Sequence, residues 1–231
     1  MRFLSVSLLF PIITACGAPL QSHIEDDPRA QVSTANVSSS AIHSARGWAG
    51  PVEFVLSQET PERLVTAVRK AARTWNDAVG RDVLIYKGRV ATAKRVSLYD
   101  SLGDDTTVIY FEKSWIASTA KPQTTLATTI WENEEASHES IVKGDIILNA
   151  EEYLFQDSMT KALEPGREVD MVDTETVLLH EMGHLLGLDH VNSTEDADSV
   201  MLAHTFIGPK FHKRVLSSGD KDNIQSIYNA E

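Results

Sequence analysis

The alternation of apolar and polar positions changes period several times along the chain, and each change predicts an element. Val52-Glu53-Phe54-Val55-Leu56 reads as a strand. Thr60-Pro61 then opens a helix, with threonine suited to the N-cap and proline to the first helical position. Leu64, Val68, Ala71 and Trp75 recur at spacings of four, three and four, which makes one apolar helix face that ends at Gly80. Val83-Leu84-Ile85-Tyr86, Val108-Ile109-Tyr110-Phe111, residues 126–131 and Asp145-Ile146-Ile147-Leu148 predict further strands. Two more helices follow, at about 173–186 and about 219–228. Strands with a few helices among them predict an α+β fold: a mixed twisted sheet carrying a first long helix, a central helix and a C-terminal helix.

The first 47 residues do not share this pattern. Arg2 followed by a run over 3–13, apolar except for Ser5 and Ser7, is too short to span a bilayer and suits a signal peptide over 1–15. The run ends in Ile13-Thr14-Ala15-Cys16, which resembles the lipobox of bacterial lipoproteins. That resemblance implies a diacylglyceryl thioether on Cys16, cleavage before it, and acylation of the new amino terminus, with palmitate as a typical chain. The alternative is an ordinary secretory signal with a free cysteine beside its cleavage site. Gly17 implies sorting to the outer membrane if the cell is Gram-negative. Residues 16–47 are small and polar, as in Gln31-Val32-Ser33-Thr34, and predict a flexible tether spanning about 30 Å. The folded domain is expected over 48–231, outside the cytoplasm on a bacterial membrane or cell surface.

Charge and cysteine usage narrow the function. A formal charge of −12 argues against nucleic acid, which needs a basic stripe. A single cysteine excludes an internal disulfide framework.

The chemistry concentrates in His180-Glu181-Met182-Gly183-His184-Leu185-Leu186-Gly187-Leu188-Asp189-His190. On a helix, positions 180 and 184 lie one turn apart on one face, so both imidazoles can reach one ion. Gly187 stands where the helix must stop, because glycine tolerates positive φ. His190 can then return as a third ligand. Three neutral imidazoles leave zinc a position for water, the arrangement of a catalytic site. Glu181, one residue along, is placed to act as general base.

This motif resembles that of the metzincins, and the chain is similar to their matrixin type, the matrix metalloproteinase-like catalytic domains. Met201 in Asp198-Ser199-Val200-Met201 matches the family's Met-turn, eleven residues after His190. Ala71-Ala72-Arg73-Thr74-Trp75-Asn76, Gly144-Asp145-Ile146-Ile147-Leu148-Asn149 and Leu216-Ser217-Ser218-Gly219-Asp220 resemble its first helix, a sheet strand and its closing helix. The resemblance implies a monomeric zinc endopeptidase with the active-site helix at 173–186. It would hydrolyse peptide bonds of extracytoplasmic proteins or peptides by Glu-assisted attack of a zinc-bound water. Substrate would lie extended along an edge strand, here 126–131. Val191 departs from the serine usual after the third ligand, and Ala203 stands where astacins and serralysins carry a tyrosine. The matrixin structural zinc and calcium loop has no counterpart. Cys16-Gly17-Ala18-Pro19 lacks the Pro-Arg pair of a propeptide cysteine switch.

The remaining polar residues allow blander readings. Glu132, Glu134, Glu135 and Glu139 form either a calcium-binding loop or a solvated acidic one, and no calcium motif favours the first. His138, His204 and His212 have no partner at a ligand spacing and read as non-ligands. Lys210, Lys213 and Arg214 make a basic cluster where the resembled family builds its specificity loop; an acidic preference beyond the cleaved bond is the lesser of its readings. A rival to the enzyme as a whole is a metzincin-fold lipoprotein that binds without turnover; Glu181 weighs against it, since binding needs no base.

Overall fold

The computed structural model describes residues 21–23, 47–91, 105–134, 140–160 and 164–229. The signal segment, Cys16, Glu135, His138 and Glu139 lie outside them. In chain order the strands are β1 (Gln21–His23), β2 (Val52–Ser57), β3 (Leu84–Val90), β4 (Thr107–Glu112), β5 (Ala127–Asn133), β6 (Ile141–Asn149), β7 (Leu154–Gln156), β8 (Met171–Asp173) and β9 (His204–Phe206). The α-helices are α1 (Val65–Val79), α2 (Trp115–Thr119), α3 (Thr174–Leu185) and α4 (Ser218–Tyr228). The fold is α+β, as the pattern predicts.

Five strands form one mixed sheet in the order β3-β2-β4-β6-β5. The first four are parallel, and β5 runs antiparallel to β6 along one edge. Helix α1 makes the crossover from β2 to β3 that a parallel pair requires. Ile146, Ile147 and Leu148 of β6 are all buried, because the sheet is covered on both faces. Ile146 and Leu148 belong to the main core with α1, α3 and α4, while Ile147 joins Trp115, Ile130, Trp131 and Ile141 in a smaller one.

Local chemistry explains most boundaries. Val68, Ala71 and Trp75 on α1 are buried together with Leu64 just before it, and Gly80 ends that helix at φ 82°, with its N–H donating to Asn76 O. The start differs from expectation. Thr60 caps nothing: its hydroxyl is buried against Ser57 Oγ at 3.1 Å, and a 3-10 turn (Glu62–Leu64) leads into α1. Within the segment read as a tether, β1 pairs antiparallel with β9, Ser22 opposite Thr205.

Candidate metal centre

Helix α3 carries the centre and is enclosed along nearly its whole length. Asp173 caps it, accepting from Thr176 N at 2.9 Å and Thr176 Oγ1 at 2.7 Å. Two tryptophans brace its carbonyls from outside: Trp75 Nε1 donates to Leu179 O at 2.9 Å and Trp48 Nε1 to Leu185 O at 2.6 Å. At the C-terminus Leu188 N donates to Gly183 O and Gly187 N to His184 O, a Schellman ending with Gly187 at φ 101°. This turn brings His190 back over the helix.

His180 Nε2 lies 2.9 Å from His184 Nε2 and 3.2 Å from His190 Nε2. A tetrahedral zinc with bonds of about 2.0 to 2.1 Å needs ligand nitrogens about 3.3 Å apart, so these three imidazoles suit one ion. The outer hydrogen bonds determine which nitrogens face it. His180 Nδ1 meets Val200 O at 2.8 Å, and His184 Nδ1 meets Leu188 O at 2.7 Å. A carbonyl only accepts, so both Nδ1 atoms carry the proton and both Nε2 atoms present lone pairs to the centre. Two lone pairs facing at that distance repel unless a cation lies between them. Burial, then the neighbouring His184 and His190, lowers the His180 pKa well below its ordinary value. Burial first, then His190, pushes His184 down to about 3. Neutral imidazoles are the form that binds metal. Among the described residues this is the one group of three such side chains able to hold a metal ion.

The turn containing Met201 sits directly beneath. Met201 is buried, and a Cβ built on Gly183 would collide with its sulfur, so glycine in α3 is what lets the methionine approach. Asp220 of α4 holds this turn, accepting from Ser199 Oγ and from Val200 N at 2.9 Å. The same Val200 orients His180 through its carbonyl, so α4 is coupled to the imidazoles.

Glu181 is fully buried between the two helical histidines in sequence, facing β5. Thr129 Oγ1 donates to Glu181 Oε2 at 2.6 Å and lies 3.1 Å from Glu181 O. The structure therefore brings together His180, Glu181, His184, His190 and Met201. His204 and His212 are exposed elsewhere.

A family comparison decides what kind of protein this is. A sequence model of the matrixin family matches residues 56–229. The chain belongs to the matrixin family. Matrixins are zinc metallopeptidases, and their substrates are proteins or peptides. Solved structures similar to this matrixin include archaemetzincin from Methanopyrus kandleri, 11% identical, TM-score 0.44, covering 79% of this chain and 98% of that one. Two structures of myroilysin are 10% and 13% identical with TM-scores of 0.42 and 0.44, each covering 90% of this chain and 99% of that one. No curated protein matches the sequence.

Most of the basic cluster is engaged within the protein. Arg214 Nη2 donates to Asp157 Oδ1 at 2.6 Å and also to Asp173 Oδ2, while Arg214 Nε donates to Asp173 Oδ1 at 3.0 Å. The hydrogen bond to Asp173 raises the Arg214 pKa further. Burial pushes the Asp173 carboxyl up, but Arg214, Ser158 and Thr176 outweigh it and hold the group below its ordinary value. Lys213 Nζ donates to Ala197 O and Ser199 O, both at 3.0 Å. Two of the three cations thus serve the matrixin framework. Thr129, Asp220 and Arg214 escaped sequence reasoning as site-supporting residues because their partners stand far away in the chain; Asp220 alone had a local signal, its capping box with Ser217.

Proposed function

We propose that this matrixin is an endopeptidase in which His180, His184 and His190 hold the zinc ion, Glu181 is the general base and Met201 forms the supporting Met-turn. The convergence of three Nε2 atoms, two with their tautomers set by backbone carbonyls, carries the reading. Zinc supplies Lewis-acid chemistry, acidifying water and polarising the scissile carbonyl. Glu181 accepts the proton of the attacking water and passes it to the departing amine. Glu181 is itself fully buried, which limits the access of bulk water to that proton. Strand β5 has β6 on one side and is the sheet edge, so it offers backbone groups along which an extended peptide can pair beside Glu181. A substrate complex with the peptide on any other strand would overturn that part.

The zinc-loaded full-length chain should cleave an unbiased peptide library at internal bonds, and Glu181→Ala should abolish cleavage while retaining zinc. Equal cleavage by the variant would reject Glu181 as the base. The enzyme is further proposed to act outside the cytoplasm, anchored through lipid on Cys16 of the signal-like segment. Labelled palmitate should enter the wild type and not Cys16→Ser, and the variant should leave the membrane fraction; labelling of both would reject the anchor.

A further inference from the structure

Strand β5 does more than close one edge of the sheet. Its Thr129 is fully buried, with its main chain opposite Ile146 and its hydroxyl on Glu181. An ionised carboxylate can only accept, so the threonine hydroxyl donates, and at 2.6 Å the contact lies in the charge-assisted range. The same oxygen stands 3.1 Å from Glu181 O, so one hydroxyl touches both the main chain and the carboxylate of a single residue. A glutamate side chain has several rotatable bonds, and a general base must hold its oxygen within hydrogen-bond reach of the water it deprotonates. Nothing in packing alone requires a hydroxyl at this position: valine has the same shape, and the buried residues beside it on β5 include Ala127, Ile130 and Trp131 as well as Thr128.

We infer that Thr129 is a positioning residue that fixes the Glu181 carboxylate in its working orientation. The inference rests on Glu181 as general base. The Thr129 side chain acts through the glutamate. Because β5 is also the edge along which substrate is proposed to pair, the strand that aligns the peptide also aligns the base. Any shift of the strand moves both together.

The test compares the zinc-loaded full-length wild type with Thr129→Val, Thr129→Ser and Glu181→Gln on one peptide. Valine should lower kcat by about ten- to a hundredfold with KM and zinc content unchanged, and serine should restore most of the rate. A crystal structure of Thr129→Val should show the Glu181 carboxylate turned or spread over more than one orientation. Wild-type kcat in Thr129→Val, a carboxylate unmoved in its structure, or a serine variant as slow as the valine one would each overturn the inference. If Thr129→Val proves too unstable to assay, the serine variant decides alone: near-wild-type kcat supports the hydroxyl's role, and a large loss contradicts it. Glu181→Gln separates the two readings, since full activity in that variant rejects the base itself, whatever Thr129 does.

Discussion

At the scale of single residues, the centre depends on which atoms carry protons. His184 is pushed down to about 3 from an ordinary 6.5, so the folded chain binds this proton less readily than the unfolded one. Stability of the metal-free protein from this group is therefore complete above about 6.5 and declines as pH falls towards 3. Urea midpoints of metal-free protein should fall between pH 7 and pH 5, and a flat profile would contradict the buried, neutral imidazole. Gly187 makes a second residue-scale case. Its φ of 101° is one that a side chain strains against. Gly187→Ala should cost about 1–2 kcal/mol in a denaturation series and weaken zinc binding in a competition titration by displacing His190. These positions were the most legible in the sequence, because ligand spacing on a helix and a glycine stop are local signals. Thr129 was not legible: as one of several residues in a short apolar strand it carries no mark of the glutamate it meets, which stands 52 positions later.

Elements show a different balance between local and distant causes. The long helices and the sheet strands followed their periodicity closely; α3 begins one residue inside the predicted 173–186, with Asp173 as its cap. Strands β7, β8 and β9 have three residues each, too few for any period to be visible. Thr60 misled because a capping residue and a buried hydroxyl look alike in sequence, and Ser57 was the partner that decided between them. The role of Arg214 was hidden for a related reason: it meets carboxylates 41 and 57 positions away. It joins the loop beyond the Met-turn to the start of α3. Arg214→Ala strands the Asp173 carboxylate, whose side chain is 2% exposed. The expected loss is about 3–5 kcal/mol at neutral pH. The sign with pH follows from Asp173: its folded pKa is depressed below 3.8 while Arg214 is present, so the wild type keeps this contribution above that value and loses it as pH falls further. The gap between variant and wild type should narrow on acidification, because protonation removes the stranded charge. A gap that stays constant from pH 7 to pH 3 in paired denaturation curves would show that the ion pair is not the cause.

For the molecule as a whole, α4 is the clasp that closes the main core around the centre. Besides Asp220 on the Met-turn, it provides Tyr228, whose hydroxyl donates to Leu186 O at 3.1 Å and accepts from Trp48 N at 3.2 Å. One side chain thus ties the start of the described domain, the end of α3 and the last helix. Burial pushes its phenol up to about 12, so the folded state retains the proton, and the contact's contribution holds below 10 and declines between 10 and 12. Tyr228→Phe should cost about 1–3 kcal/mol by leaving two backbone groups without this partner, read as a lower Tm at pH 7. An unchanged Tm would remove Tyr228 from the clasp. All of these contacts converge on three imidazole nitrogens, so the measurement that tests the account most directly is zinc K-edge absorption on the purified full-length chain, with metal content determined in parallel. The expected result is one zinc per chain, three imidazole nitrogens at about 2.0–2.1 Å, and loss of that signature in His190→Ala. A chain that takes up no zinc, or binds it through another ligand set, would contradict it.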